Sequence, residues 1–187
     1  LKILENIKKL PISILYVEPD MDVMNQTQEL QERVVKSVLQ EYARSGVFEK
    51  MYIVSNPKIE SVIGGAPIIG YYDKLNETLV STIHMLNVCE NTKPIIGKIP
   101  QPKITHRIIS VGMLDIDKGE EKMFFSLDSP RERCYIYSIN EERLKTDEGL
   151  FTRLKNQIKS NFRYVQKIQK TTIIMGLITL IIIRDNL

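Results

Sequence analysis
The sequence predicts an α/β or α+β fold built on a mixed sheet, and three observations carry that prediction. Between Ile12 and Val54 the pattern runs strand, helix, strand, the order of a βαβ unit. From Lys103 three β-rich runs follow one another across short turns, which favours an antiparallel meander. A long amphipathic helix pattern then leads into Thr171–Ile183, an uncharged stretch rich in β-branched residues that reads as a buried strand. With 187 residues, 43% hydrophobic and 26% charged, the chain has globular composition and room for a real core. It reads as a single α/β-type domain over 1–187, with a βα-alternating half (1–102) and a second half (103–187) holding the meander, the basic helix and the apolar strand.

Taken in order, Leu1–Leu10 places apolar residues among lysines as a short amphipathic helix ended by Pro11. Ile12–Val17 is a strand that stops at Glu18-Pro19-Asp20-Met21-Asp22, where Asp20 or Asp22 is expected to cap the next helix. In that helix Leu30, Val34, Val35, Val38, Leu39 and Tyr42 form the expected inner face, and Gly46 ends it. Met51–Val54 is the second strand, and Ser55-Asn56-Pro57 reads as a turn. Val62–Gly70 is a glycine-rich loop matching no phosphate-binding fingerprint, so it reads as a connector, with a backbone anion nest as the alternative. Asp73 begins a helix with Leu75, Leu79, Ile83 and Leu86 on one face, ending near Asn87. Ile95–Ile99 is a short strand candidate. Ile104–Ile116, Lys122–Leu127 and Cys134–Ile139 are the strands of the meander, and Ser138–Glu141 has the form of a capping box opening a helix that Gly149 interrupts.

The main amphipathic stretch has Phe151, Leu154, Ile158, Phe162 and Val165 on one face. Lys155, Lys159, Arg163 and Lys167 recur beside it at four-residue steps, and Lys170 continues the line. Such a cationic ridge suits phosphates, an anionic membrane or an acidic protein face, while a solvated helix face is its plain structural use. Thr171–Ile183 is about two turns short of a bilayer-spanning helix. It is expected as a central strand, with Gly176 marking a bend, and a membrane-interface segment is the alternative. The net charge of +3 is too small to imply nucleic-acid binding by itself, so any basic surface is local. Cys89 and Cys134 have no metal-ligand spacing and read as free thiols of a cytoplasmic or otherwise reducing intracellular compartment; no signal peptide is visible. His84 and His106 have no ligand motif nearby, and no nucleophile and base pair emerges, so no catalytic residue is assigned.

Carboxylates cluster at two strand ends: Glu18, Asp20 and Asp22 after the first, Asp115 and Asp117 after a later one. Convergence of such groups beyond the carboxyl ends of strands would suit Mg²⁺, which takes oxygen ligands and organises phosphoryl transfer. The run Leu15–Val23 resembles the first motif of Toprim domains, a strand ending in glutamate with an aspartate four positions on, and Asp115-Ile116-Asp117-Lys118-Gly119 is similar to their later DxD motif. That resemblance implies Glu18 as an acid/base or metal-linked carboxylate and Asp115 and Asp117 as metal ligands. Pro19 stands where Toprim domains carry glycine. Val17-Glu18-Pro19-Asp20 also resembles the opening of response-regulator receiver domains, which implies an Mg²⁺-binding acidic pair, although Pro19 replaces its second acid.

The function read from these features is a non-catalytic binding or regulatory module whose basic helix engages an acidic protein surface or phosphates. The expected partner is a protein, with nucleic acid or membrane as further candidates. Two alternatives stand beside it: an Mg²⁺-dependent phosphoryl-transfer or nucleic-acid-cleaving domain with a Toprim-like site at Glu18, Asp20, Asp115 and Asp117, and a membrane-associated domain anchored near its C-terminus.

Overall fold
The computed structural model describes residues 7, 10–65, 67–92, 107–115, 117–128, 130, 132–139, 141–161, 169–174 and 176–185. The strands are β1 (Ser13–Glu18), β2 (Lys50–Ser55), β3 (Ile108–Leu114), β4 (Glu121–Met123), β5 (Glu132–Ile139), β6 (Gln169–Ile174) and β7 (Gly176–Asp185). The helices are α1 (Gln26–Arg44), α2 (Asn56–Ile63), α3 (Tyr71–Asn91), α4 (Glu141–Thr146) and α5 (Leu150–Asn161). One mixed sheet in the order β1-β2-β3-β7-β5-β6 contains strands from both halves of the chain, with β4 joined to β3. The expected mixed α/β architecture is therefore present.

β1, β2 and β3 are parallel, as the βαβ pattern requires, with Ser13 opposite Lys50 and Met51 opposite Ile108. α1 begins where Asn25 and Gln28 exchange side-chain to backbone hydrogen bonds of 3.0 Å in a capping box, so neither Asp20 nor Asp22 caps it. Asp20 instead caps the 3-10 turn Met21–Val23 by accepting from the Asp22 N–H. Gly46, at φ 83°, takes the left-handed conformation just after α1, as expected from its type and place.

Three layers result. On one face α2 and α3 pack Ile59, Leu75, Leu79, Leu86 and Cys89 over Val54, Ile109, Val111 and Ile136. On the other face α1 covers Met51, Ile53 and Ile108, and α4 and α5 cover Tyr135 and Tyr137; Leu127 packs against both clusters. The alternation of β5 between these faces, Cys134 and Ile136 on one and Tyr135 and Tyr137 on the other, is the period-two pattern of a strand covered on both sides. Lys50, at the start of β2, is 8% exposed and donates to Glu90 near the end of α3 at 2.6 Å. That ion pair fixes the direction of α3, from beyond the carboxyl end of β2 back to its amino end.

Several expectations are corrected. Asn56 and Pro57 open helix α2 rather than a turn, because proline near a helix start removes only an N–H with no partner inside the helix. α3 starts at Tyr71, with Gly70 as its N-cap, and runs to Asn91. The meander is interrupted: β3 pairs antiparallel with β4, but β7 lies between β3 and β5. Thr171–Ile183 forms parts of two strands, with β7 inside the sheet and β6 at its edge. Gly176 opens β7. Within the described residues the basic helix stops at Asn161, and Lys170 belongs to β6, so the five cations do not share one helix. On α1 only the C-terminal part of the expected inner face meets the sheet. Leu39, Tyr42 and Ala43 pack inward, whereas Leu30, Val34, Val35 and Val38 are 41–61% exposed. A 19-residue helix spans ~28 Å and a six-residue strand ~20 Å, so the first turns of α1 overhang β1 and β2. The proposed helix at Leu1–Leu10, apart from Ile7 and Leu10, and the strand at Ile95–Ile99 lie outside the described residues, as do His106, Arg163 and Lys167.

Candidate functional site at the carboxyl edge of the parallel strands
Parallel strands separated by helices leave their carboxyl ends lined by the loops that carry function in open α/β sheets. Here that edge is built from the end of β1 with the turn Pro19–Asp22, the junction Ser55–Asn56, the loop Gly64–Gly70 and the first turn of α3. α2 starts directly at the end of β2, and its N-cap Ser55 makes no side-chain capping bond. α3 likewise has no side-chain cap at Gly70. Two helix N-termini, each with backbone N–H groups left open and a partial positive charge, therefore sit at this edge.

The loop between them is a built turn. Gly64, Gly65 and Gly70 all have positive φ, Gly65 N–H donates to Glu60 O at 3.3 Å, and Lys74 Nζ donates to Gly65 O at 3.2 Å. At its tip Ile68 and Ile69 are 96% and 92% exposed. Tyr71 and Tyr72 stand edge to face, 5.1 Å between centroids, at the start of α3. The Tyr71 hydroxyl donates to Glu60 Oε2 at 2.8 Å, while Tyr72 is 68% exposed. The bond to Glu60, with smaller contributions from burial and from the charges of Glu60, Tyr72 and Asp20, pushes the Tyr71 phenol up to about 12. An aromatic face, carboxylates and two open helix termini can together meet a planar polar ring carrying an anionic group.

The residues singled out from the sequence are placed as follows. Glu18 is engaged by Lys36 of α1 at 2.5 Å, and the same ammonium lies 4.6 Å from the centre of the Phe125 ring. Asp115 accepts from the N–H groups of Asp117 and Lys118 at 2.9 and 3.0 Å, and these bonds, Lys118 first, hold its carboxyl below the usual range. Asp117 accepts from Arg143 at 2.6 Å. β1 and β3 are two strand spacings apart where β2 pairs with both, but at the level of Ser55, opposite Glu18, Phe124 stands between β2 and β3, accepting from the Ser55 N–H at 2.8 Å and donating to Val111 O at 2.9 Å, which makes three spacings. The Glu18 and Asp115 backbones are thus at least about 14 Å apart, too far for ~2.1 Å bonds to one ion. Glu18, Asp20, Asp115 and Asp117 are not brought together, and no group of three or more potential ligands able to hold a metal occurs among the described residues. The Toprim-like and receiver-like patterns are a β1 terminus bound by Lys36 and a self-capped turn.

On α5, Lys155 and Lys159 are exposed beside the buried Leu154 and Ile158, with Lys155 Nζ 4.8 Å from the centre of the Phe151 ring. Cys89 and Cys134 are buried and form no disulfide with each other, and burial raises the Cys89 thiol. No helix among the described residues is long and apolar enough to cross a membrane. Sequence reasoning missed Glu60, Ile68, Ile69, Tyr71 and Tyr72. The available signal was the glycine punctuation around an isoleucine pair, followed at once by two tyrosines.

No protein-family model and no curated protein matches the chain. Among solved structures it is similar to TubZ of Bacillus thuringiensis serovar israelensis. A GTPγS-form protofilament of that protein matches at 15% identity and TM-score 0.62, over 97% of this chain and 55% of that one. GDP-form protofilaments match at 14% identity and TM-score 0.62, over 98% and 58%. A four-stranded TubZ-Bt filament matches at 15% identity and TM-score 0.66, over 98% and 55%. The likeness is one of fold, and the chain spans little more than half the length of these neighbours.

Proposed function
We propose that this chain forms part of a protein that binds a guanine nucleotide at the carboxyl edge of its parallel strands and self-assembles. The observation carrying this reading is the fold likeness over 97–98% of the chain to TubZ in GTPγS-form and GDP-form protofilaments. The edge supplies suitable chemistry. Tyr72 offers an exposed ring for a purine to stack on, a contact of about 1–3 kcal/mol. Asp20 and Asp73 offer acceptors for the N1–H and 2-amino donors that distinguish guanine from adenine. The open N-termini of α2 and α3 favour phosphate. Titration with a fluorescent GTP analogue tests this reading. Saturable binding displaced by GTP and GDP but not by ATP, and weakened about 10-fold by Tyr72→Ala, is expected. Absence of saturable binding, or equal displacement by ATP, overturns it.

A second reading keeps α5 as a binding surface for an acidic protein face or phosphates. The exposure of Lys155 and Lys159 on that helix favours it, and neither has a carboxylate partner among the described residues. Arg163, Lys167 and Lys170 belong to this proposal by sequence spacing alone. Charge reversal of Lys155 and Lys159 should weaken binding to a polyanion such as heparin and flatten its salt dependence. Unchanged retention at every salt concentration removes this reading.

A further inference from the structure
Glu60, in the second turn of α2, ties down both ends of the loop that leads to α3. Its backbone carbonyl accepts from the N–H of Gly64, the residue that ends α2, and from the N–H of Gly65 at 3.3 Å. Its carboxylate accepts from the hydroxyl of Tyr71, the first residue of α3, at 2.8 Å. One turn further along α3, Lys74 fastens the same loop by donating to Gly65 O at 3.2 Å. Tyr71 is therefore held twice, its ring packed against the core formed by Ile59, Leu75 and Leu79 and its hydroxyl bonded to a carboxylate. Tyr72 is 68% exposed, and its ring meets the Tyr71 ring edge to face at 5.1 Å with 85° between the planes. That contact is directional, so fixing the plane of Tyr71 fixes the plane in which Tyr72 rests.

We infer that Glu60 and Tyr71 are positioning residues, which hold the Tyr72 ring in place as a stacking platform before a purine arrives. The inference rests on the guanine-nucleotide reading above. Neither residue is asked to touch the base: Tyr71 spends its hydroxyl on Glu60 and its ring on the core and on Tyr72, and Glu60 acts one step further back. An exposed aromatic ring that had to be ordered during binding would weaken the complex, and a ring already ordered by its neighbour does not. Loss of the Tyr71 to Glu60 bond should therefore weaken nucleotide binding by about 3–10-fold, the cost of immobilising one side chain. The loss should be felt only where there is a Tyr72 ring to position.

Titration of the full chain with a fluorescent GTP analogue tests this through Tyr71→Phe, Glu60→Ala and Glu60→Gln, each alone and each combined with Tyr72→Ala. Tyr71→Phe, which keeps the ring, and Glu60→Ala should each weaken binding by about 3–10-fold, and the two together by no more than either alone, because they remove the same bond. Glu60→Gln leaves an amide oxygen to accept from the hydroxyl and should stay within about 2-fold of wild type. In the Tyr72→Ala background none of the three should weaken binding further, a result that a general loosening of the edge would not give. Circular dichroism shows which variants fold, and should Glu60→Ala not fold, Tyr71→Phe and Glu60→Gln decide the matter in both backgrounds. Wild-type affinity of Tyr71→Phe, or an equal loss with and without Tyr72→Ala, overturns the positioning role and leaves the nucleotide reading standing. A loss for Glu60→Gln as large as that for Tyr71→Phe overturns it as well. A wild type that shows no saturable binding overturns the nucleotide reading and the positioning role together.

Discussion

Tyr135 and Tyr137 are stacked neighbours on one face of β5, 6.3 Å between ring centres, yet replacing each by phenylalanine should have opposite results. Both rings are fully buried. The Tyr135 hydroxyl donates to Glu121 Oε1 at 2.6 Å, and Glu121 Oε2 also receives Arg133 Nη1 at 3.1 Å. Tyr137 Oη is buried with no hydrogen-bond partner. A bond to a charged acceptor contributes about 1.5–3 kcal/mol, so Tyr135→Phe should destabilise by that amount. An unpaired buried hydroxyl contributes only its desolvation cost, so Tyr137→Phe should be neutral or stabilise by up to about 1 kcal/mol. For a chain of this size 1 kcal/mol moves the melting temperature by ~2–4 °C, so the first variant should melt about 3–12 °C lower and the second at or above wild type. Urea unfolding followed by circular dichroism measures both, with the slope checked for two-state behaviour. Equal destabilisation of the two variants, or a loss above about 1 kcal/mol for Tyr137→Phe, would refute the assignment of the hydrogen bond.

Three further outcomes follow from the packing and the ion pairs. Gly112→Ala should cost about 1–3 kcal/mol in urea unfolding, because the added methyl would stand 2.6 Å from both Lys122 O and Met123 Sδ where β3 meets β4; a neutral result contradicts that close approach. Glu90→Gln should cost about 1.5–3 kcal/mol by leaving Lys50 buried without its counter-charge, and Lys50→Met in the same chain should recover most of it; additive losses would argue against the pair. In alkaline titration followed by phenolate absorbance, Tyr71 and Tyr135 should ionise near pH 12 and Tyr137 late as well. Tyr71 is held back first by its bond to Glu60, and the other two first by burial. Since the unfolded phenols ionise near 10, stability from these groups is intact below pH 10 and lost as pH rises from there towards 12; a single native transition near 10 contradicts this.

The local patterns were legible in the sequence wherever one element's own periodicity decides them. Ile12–Val17 and Met51–Val54 fall on β1 and β2 to within a residue at either end, and Leu75, Leu79 and Leu86 are the buried face of α3. What resisted were relations between elements. Periodicity shows that Leu30, Val34 and Val38 share a stripe of α1, but only the lengths of helix and strand show that the stripe overhangs the sheet. An apolar run at Thr171–Ile183 signals strand, yet its division between β6 and β7, and the insertion of β7 between β3 and β5, depend on pairing across the whole sheet. The carboxylates failed to converge for the same reason, since strand order and register separate Glu18 from Asp115 while local partners claim both. The carboxyl-edge site was hidden differently. Its glycines read as a connector, and the fact that they hold Ile68 and Ile69 out beside Tyr72 is a property of three left-handed backbone positions rather than of a motif.

The claim that most needs measurement is that nucleotide and self-assembly belong to one chain. Sedimentation velocity of the wild-type protein across a concentration series, nucleotide-free and then saturated with GTPγS or GDP, addresses it directly. The account predicts a rise in weight-average sedimentation coefficient with concentration, and a GTPγS-dependent shift of the association curve to lower concentration. A single monomeric boundary at every concentration, unchanged by either nucleotide, would contradict it.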